Sequence, residues 1–309
     1  MKKHIYFAIT IMLTVTLAAL VSAKEVEEQK SPDPFDKGLF WKIEKDGEYV
    51  GHIFGTLHMN DARIGKLHDK VNKVLDDSKS FAMEAFPSDH YWNPYQGGQL
   101  IKHDMVLPRG ESLEQYVGKE TYEKIETVLV DVLGMQPELV KTLRPWAAMR
   151  SFAVKAESSE VILDYALLER AAEQRKELYQ VESIEEFIVT LQEMPIDAQI
   201  ALLEFTVASY EDMKNIIEDM LDAYLEQDLK AMHSISTRFI PREPDNEQWR
   251  EIYLKHVIEI RNIVMAHYMR KPMRLRDTFI AVGAVHLYGD KGVLALIEKD
   301  GYTVSRVDL

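Results

Sequence analysis

Two Gly-x-x-His motifs lie near opposite ends of the chain, one ending at His58 and the other at His286. Each motif follows a short apolar run that is typical of a buried strand. Two further apolar runs end in a carboxylate, at Glu84 and at Glu182. Ligands of open α/β sheets bind beyond the carboxyl ends of the strands, so four neighbouring strands would bring these side chains together. Two imidazoles with one or two carboxylates suit a divalent metal ion that activates water.

This signal depends on the pair of motifs, because a single histidine after a strand is more often a capping or surface residue. Glu84 lies between Met83 and Ala85, where an ionised carboxylate is costly unless it is paired or binds a metal. An arginine partner or a helix terminus would also satisfy it. The chain contains no HExxH, P-loop, Gly-x-Ser-x-Gly or Gly-x-Gly-x-x-Gly motif, which removes the commonest zinc-protease, nucleotide-binding and serine-hydrolase classes.

Strand patterns that alternate with helical patterns predict the fold that positions these groups. Asp46 and Gly47 separate two β-rich runs, which indicates an N-terminal antiparallel hairpin. Apolar residues recur at helical spacing in the segments 138–156, 160–176, 196–208, 210–227 and 246–269. We therefore expect an α/β fold, with a mostly parallel central sheet, the hairpin at one edge and flanking helices. A long helical insertion is expected at about residues 111–172.

Composition narrows the kinds of partner and of site. The 309 residues carry a formal net charge of -14, which argues against a nucleic-acid partner, since a polyanion needs a basic face. The chain has no cysteine, so thiolate metal sites, cysteine nucleophiles, iron–sulfur clusters and disulfides are excluded. Any metal must be bound by histidine, carboxylate or water, for which Mn²⁺ or Co²⁺ is as suitable as Zn²⁺.

The first 23 residues have the pattern of a signal peptide. Two lysines precede an uncharged apolar run at 5–23, which ends in the small residues Val-Ser-Ala. Cleavage after Ala23 would leave a charged, proline-bearing tether at 24–38 and a single domain at 39–309. We therefore expect an exported protein that is secreted, periplasmic or on the cell surface. An uncleaved leader that stays as an anchor is the alternative, and it is the only contact with a membrane that we expect.

A set of motifs occurs in order along the chain. The motifs are Phe-Trp-Lys-Ile at 40–43, Gly-Thr-Leu-His at 55–58, Met-Glu at 83–84, Arg-Pro-Trp-Ala-Ala at 144–148, Arg-Asn at 261–262, Val-Gly-Ala-Val-His at 282–286 and Gly-Val-Leu-Ala-Leu-Ile-Glu at 292–298. Together they resemble the TraB/GumN family, which is related to the TIKI metalloproteases and more loosely to the ChaN/erythromycin-esterase-like proteins. The resemblance implies a metal-dependent peptidase, with His58, Glu84 and His286 as its metal-binding and catalytic residues.

The resemblance also concerns three further residues. Arg261 and Asn262 match an Arg-Asn pair on a late helix of the family. Many members have an aspartate in a Gly-x-Asp motif near the position of Asp164, but this chain has Val161 or Ile162 where the glycine would be. The carry-over of Asp164 therefore depends on its surroundings.

The residues alone leave several roles open. Asp164 shares a helix face with leucines, so an arginine partner such as Arg144 or Arg150 would explain it as well as a functional role. Arg261 could bind a substrate carboxylate through two hydrogen bonds or pair with a structural acid. Glu182 could be a further ligand or the acceptor that orients an imidazole. The helix of Arg261 should pack on the sheet through an apolar face formed by Tyr253, Val257, Ile260 and Val264.

These observations predict an exported metal-dependent hydrolase, in which His58 and His286 bind the metal and Glu84 is a third ligand or a general base. The expected substrate is a peptide or an extracellular protein. The competing hypothesis is a non-catalytic protein that sequesters a secreted peptide, such as a pheromone, or a cofactor in the same pocket.

Overall fold

The computed structural model describes residues 33–59, 61–64, 69–84, 102–152 and 163–309. The predicted leader and most of the predicted tether lie outside these residues. The chain from Phe35 to Leu309 forms one compact unit. Within the described ranges, no helix combines the length and the apolar character that crossing a membrane requires.

A mixed sheet lies at the centre of the described structure. Its strands are β1 (Phe40–Lys45), β2 (Glu48–Thr56), β3 (Ser80–Met83), β4 (Glu177–Gln180), β5 (Thr278–Gly283) and β6 (Thr303–Arg306). Their order across the sheet is β4-β3-β5-β2-β1-β6. The four strands from β4 to β2 run parallel, and β3 and β5 are buried along their whole length, as expected for strands that helices cover on both faces. The predicted α/β class with a mostly parallel sheet is confirmed.

The predicted N-terminal hairpin is also confirmed, because β1 and β2 are antiparallel and joined by Asp46 and Gly47. Both turn residues have a positive φ, 54° and 77°, as a two-residue type I′ turn requires. The sequence predicts the hairpin at one edge of the sheet, but neither of its strands is the edge strand. The C-terminal strand β6 pairs antiparallel with the outer side of β1 and becomes the edge strand instead.

The described part of the chain also contains a series of α-helices. They are α1 (Asp69–Asp77), α2 (Lys102–Met105), α3 (Leu113–Val117), α4 (Lys119–Glu126), α5 (Pro137–Thr142), α6 (Pro145–Ser151), α7 (Leu163–Glu173), α8 (Ile184–Gln192), α9 (Ile196–Ala208), α10 (Met213–Leu225), α11 (Leu229–Ile235), α12 (Glu247–Tyr253), α13 (Ile260–Leu275) and α14 (Val293–Lys299). A π-helical segment, Leu254–Glu259, joins α12 to α13, so that one continuous helical rod carries Arg261.

One of the predicted helices is divided in the structure. The segment 138–156 breaks into α5 and α6, because Leu143 and Arg144 are extended before Pro145. A proline disfavours the helical conformation of the residue before it, and it starts a new helix readily. Of the predicted helical segment 160–176, residues 160–162 lie outside the described ranges, and α7 covers Leu163–Glu173.

Two apolar clusters organise these elements. One packs around the sheet and includes α1, α7, α13 and α14, and the other lies among the helices α3 to α6, α8 and α9. The second cluster corresponds to the predicted helical insertion, but its limits differ. Leu163, Leu167 and Ala171 of α7 pack on the sheet, although the predicted insertion extended to residue 172. The insertion instead recruits α8 and α9, which follow β4 in the chain.

Candidate active site

The four predicted strand ends meet at one edge of the sheet. Thr56 at the end of β2 lies opposite Gly283 at the end of β5, so the two Gly-x-x-His motifs are side by side. Strands β3 and β4 follow on the other side of β5, and Glu84 and Glu182 come just beyond their ends. The prediction that these strands are parallel neighbours is confirmed.

Glu84 is a buried carboxylate with several polar partners. Its Oε1 accepts a hydrogen bond of 2.6 Å from the backbone N–H of Gly283, and its Oε2 accepts one of 2.8 Å from Arg261. The same Oε2 lies 3.7 Å from His58 Nε2. Burial pushes the pKa of Glu84 up, but His286, Arg261 and His58 together hold it well below its usual range. Glu84 is therefore ionised at neutral pH.

Arg261 lies between the two carboxylates. Its Nε and Nη2 donate to the two oxygens of Glu182, at 2.8 and 2.7 Å, which is a bidentate pair. Nη2 also donates to Glu84, and Nη1 donates to the carbonyl of Val257 and to His286 Nε2, at 3.3 and 3.2 Å. Of the two roles that the sequence left open for Arg261, the structure shows pairing with buried acids.

Among the described residues, Glu182 therefore holds a guanidinium where one of its two predicted roles placed an imidazole, and its other predicted role, as a further metal ligand, stays a prediction. Burial raises the pKa of Glu182 even though Arg261 is paired with it. Glu182 meets an arginine because α13 brings Arg261 into the space between the ends of β3 and β4, where it contacts both Glu84 and Glu182.

Asn262 orients His286. The Nδ1 of His286 lies 2.6 Å from Asn262 Oδ1, while the amide nitrogen of Asn262 donates to the carbonyl of Lys291 at 2.8 Å. Since that Oδ1 can only accept, Nδ1 carries the ring proton and Nε2 presents its lone pair to the cluster. Burial and the charge of Arg261 lower the pKa of His286 to about 3, so the ring is neutral.

Asp164 is the corresponding partner of His58. Its Oδ2 lies 2.9 Å from His58 Nδ1, and its Oδ1 accepts a 2.5 Å hydrogen bond from the hydroxyl of Thr56. The suggestion that Arg144 or Arg150 satisfies Asp164 is therefore wrong. Burial lowers the pKa of His58, but Asp164 and Glu84 outweigh it and raise that pKa to about 10. The His58 side chain is 52% exposed, so it is the member of the cluster most open to solvent.

The glycines of the two motifs provide room rather than an unusual turn. Neither Gly55 nor Gly283 has a positive φ. A Cβ at Gly283 would lie 3.3 Å from Glu84 Oε1, 3.5 Å from His286 Cδ2 and 3.6 Å from His58 Nε2. All three side chains thus surround one point, and the two imidazoles are closer than the roughly 10 Å that would rule out a shared metal.

The donor chemistry of this cluster fits a divalent cation. Both imidazoles have Nδ1 beside an oxygen of another side chain, which is the usual arrangement of metal-binding histidines. His286 is neutral and presents an unprotonated Nε2, whereas His58, with a pKa of about 10, would have to lose a proton before its Nε2 could bind an ion. In the part of the chain that is described, however, no three His, Asp or Glu side chains are grouped closely enough to hold a metal. Arg261 contacts Glu84 and His286, so a bound cation would have to replace or share those contacts.

Two residues of the cluster had no role in the sequence argument. Thr56 anchors Asp164 through its hydroxyl, and Phe187 lies 4.7 Å from the guanidinium carbon of Arg261. A buried hydroxyl at the end of an apolar strand is a weak signal for Thr56. Phe187 lies in an amphipathic helix, and nothing in its spacing distinguishes it from a packing residue.

Comparisons with known proteins give the family. The chain matches the TraB/PrgY/gumN family over residues 39–306. It is 24% identical over 256 residues to the uncharacterized protein YbaP of Shigella flexneri, which covers 79% of this chain and 86% of YbaP. The match to YbaP of Escherichia coli K12 is also 24%, over 251 residues, covering 77% and 84%.

The name of a third relative describes it as a metalloprotease. Metalloprotease TIKI2 of Xenopus tropicalis is 24% identical over 302 residues, which cover 82% of this chain and 57% of TIKI2. No solved structure matches the chain. Because the family match extends over nearly all of the described residues and includes all four strand ends, this protein belongs to the TraB/PrgY/gumN family.

Proposed function

We propose that this protein is an exported hydrolase that cleaves a peptide bond, in a peptide or an extracellular protein, with a divalent metal ion at His58, Glu84 and His286. One observation carries the proposal. Two imidazoles and an ionised carboxylate, each held in a fixed orientation by its own partners, surround one point at the carboxyl edge of the sheet. Fixed, convergent groups of these types are what water activation requires.

The side chains that hold the two histidines argue against a purely structural ion-pair network. Asp164 and Thr56 fix His58, and Asn262 fixes His286, so both Nε2 atoms are directed away from their supports. Such preorganisation costs stability elsewhere and is typical of functional sites. The relationship to a protein named metalloprotease TIKI2 supports the same class of reaction at the level of 24% identity.

The roles of the chain's own groups follow from their contacts. His58, His286 and Glu84 would hold the ion, which supplies a Lewis acid for the scissile carbonyl and an acidified water. Glu84 is ionised and its Oε1 is fixed on the Gly283 N–H, so it can act as a third ligand or accept a proton from water. Arg261 favours the ionised form of the buried Glu84, and its hydrogen bonds set the orientation of Glu84 and Glu182.

Metal analysis of the purified protein tests the proposal. We expect wild type to bind Mn²⁺, Co²⁺ or Zn²⁺ at micromolar concentration, and His58→Ala and His286→Ala to lose that binding. His267→Ala is the matched control, because His267 is exposed on α13 and lies outside the cluster. Wild type that binds none of these ions, or histidine variants that bind as well as the control, would overturn the metal site.

Export is part of the proposal and rests on the leader pattern at residues 1–23. N-terminal sequencing of protein from the culture medium, periplasm and membrane fraction tests it, with a new N-terminus at Lys24 expected. An intact leader in the membrane fraction would indicate an anchor.

The competing hypothesis, a protein that sequesters a peptide or a cofactor, makes the opposite prediction. It expects affinity for the peptide without metal and without cleavage. A hydrolase should release fragments, and chelation should stop it.

A further inference from the structure

Arg261 cannot be the residue that recognises a substrate carboxylate, because its donors are occupied. The guanidinium binds Glu182, Glu84, the Val257 carbonyl and His286 Nε2. It is also buried, with its side chain 10% exposed. A peptide substrate that presents a carboxylate beside the cluster would need another cation.

Arg150 is a second arginine on the same aromatic ring. Its guanidinium carbon lies 5.4 Å from the centre of the Phe187 ring, and that of Arg261 lies 4.7 Å from it. Phe187 is therefore shared between the two arginines. The helix that carries the ring, α8, begins with a capping box of Ser183 and Glu186, directly after Glu182.

Arg150 differs from Arg261 in its partners. It is exposed at the end of α6, and among the described residues it forms no hydrogen bond or ion pair. Burial within the surrounding protein lowers the pKa of Arg150, while Tyr253 and Glu84 act against that shift and Arg261 adds to it. Since the guanidinium carbons of Arg150 and Arg261 lie 5.4 and 4.7 Å from the centre of one ring, and Arg261 contacts Glu84 and His286, the exposed Arg150 lies beside the cluster.

Tyr253 provides a neutral donor in the same place. Burial raises its pKa, and the charges of Arg150 and Arg261 act on it in the opposite direction. Its hydroxyl has no hydrogen-bond partner within the described part of the chain. One arginine fork, one hydroxyl and one aromatic wall form a set that matches a carboxylate on a short aliphatic stem.

We propose that Arg150, with Tyr253 beside it and Phe187 beneath it, binds a carboxylate of the substrate next to the His58–Glu84–His286 cluster. The inference rests on the proposed hydrolase function and narrows its substrate class to peptides that carry a carboxylate near the scissile bond. That group is either the C-terminal carboxylate or an aspartate or glutamate side chain.

Three pools of hexapeptides distinguish the two sources. The first has a free C-terminus and no acidic side chain, the second has an amidated C-terminus with Asp or Glu, and the third is amidated with Asn or Gln in their place. Binding is measured by calorimetry, and cleavage is followed in the same samples by mass spectrometry. We expect wild type to bind the first or the second pool about 10- to 100-fold more tightly than the third.

Arg150→Gln should lose this preference, and Arg150→Lys should recover only part of it, because lysine keeps the charge but not the fork. Where a pool is cleaved, Arg150→Gln should raise KM and leave kcat nearly unchanged. Arg274→Gln is the matched control, since Arg274 is exposed on α13 and has no ion pair among the described residues.

The outcomes separate this inference from the proposed function. Wild type that cleaves all three pools equally overturns the carboxylate site and leaves the hydrolase intact. Arg150→Gln that retains the preference does the same. Wild type that prefers a carboxylate without cleaving any pool supports the site and contradicts the hydrolase, and wild type that binds no pool overturns the site.

Discussion

The two ends of the same parallel strands carry ion pairs of opposite character. At the carboxyl end, Arg261 pairs with Glu84 and Glu182, and these three side chains are 10%, 9% and 1% exposed. At the amino end, Arg170 pairs with Asp76 at 2.8 Å, with both side chains more than a third exposed. Exposed pairs contribute little to stability, whereas a buried pair that loses one partner leaves an uncompensated charge.

This difference in burial shows that the charged groups at the carboxyl end are not there to stabilise the fold. Replacing a buried ion pair with apolar side chains is often neutral or stabilising, so a buried guanidinium between two carboxylates is not needed to hold a sheet together. Its position beside two oriented imidazoles points to function. The exposed pair at the amino end only links the surfaces of α1 and α7, and it does not indicate a function.

The largest effect is expected from Arg261→Met. It would leave Glu84 and Glu182 buried without their cation, and we expect the free energy of unfolding to fall by about 3–5 kcal/mol. Urea denaturation measures this change. If Arg170→Met at the amino end costs as much as Arg261→Met, the contrast between the two ends is wrong.

Glu84→Gln should affect turnover more than stability. The amide can still accept the hydrogen bond from the Gly283 N–H, but it cannot take a proton from water. We expect kcat to fall by about 100- to 10,000-fold. Metal content then distinguishes the two roles of Glu84, because a lost base leaves the ion bound and a lost ligand lowers its occupancy. Turnover equal to wild type would remove Glu84 from the site.

Gly283→Ala should damage the site while the sheet stays intact. The added methyl group would come within 3.3 Å of Glu84 Oε1 and 3.6 Å of His58 Nε2, which displaces the groups that must converge. We expect metal affinity and kcat to fall about tenfold, with a loss of about 1 kcal/mol in the free energy of unfolding. Calorimetric metal titration beside urea denaturation checks this, and unchanged metal affinity would contradict the convergence.

The smallest effect is expected at the amino end. A double-mutant cycle of Asp76→Asn and Arg170→Gln should give a coupling free energy of about 0–1 kcal/mol, because both side chains are solvated. The coupling should weaken further in 1 M salt, where charges are screened within about 3 Å. A coupling above about 2 kcal/mol that is insensitive to salt would mean that this pair behaves like a buried one.

The strand ends could be predicted from the sequence because their signals are local. Apolar runs that end in His58, Glu84, Glu182 and His286 indicate buried strands, and parallel strands place their carboxyl ends at one edge. The order β4-β3-β5-β2 confirms that these strands are parallel neighbours, although the order itself was not predicted.

The partners of the charged groups could not be predicted, because they depend on contacts between distant parts of the chain. Glu182 and Arg261 are 79 residues apart, and Thr56 and Asp164 are 108 residues apart. Several arginines and carboxylates had compatible spacing. Only the packing of α7 and α13 against the sheet determines which of them meet.

The predicted buried face of the helical rod that carries Arg261 is confirmed only in part: Val257 is buried, but the face changes after it. Ile260 and Val264 were expected inside, but both are only partly buried, and Arg261 and Met265 are buried instead. The π-helical segment Leu254–Glu259 precedes them and adds a residue to the turn, which rotates the following face relative to an uninterrupted α-helix. Periodicity at 3.6 residues cannot detect such a segment.

Peptide hydrolysis by chelator-treated protein tests the central claim most directly. A mixed hexapeptide pool is incubated with treated wild type, with and without added Mn²⁺, Co²⁺ or Zn²⁺, and the fragments are identified by mass spectrometry. We expect no cleavage after chelation, recovery with at least one of the three ions, and no recovery in Glu84→Gln. Full cleavage by the chelated protein, or equal cleavage by Glu84→Gln, would contradict it.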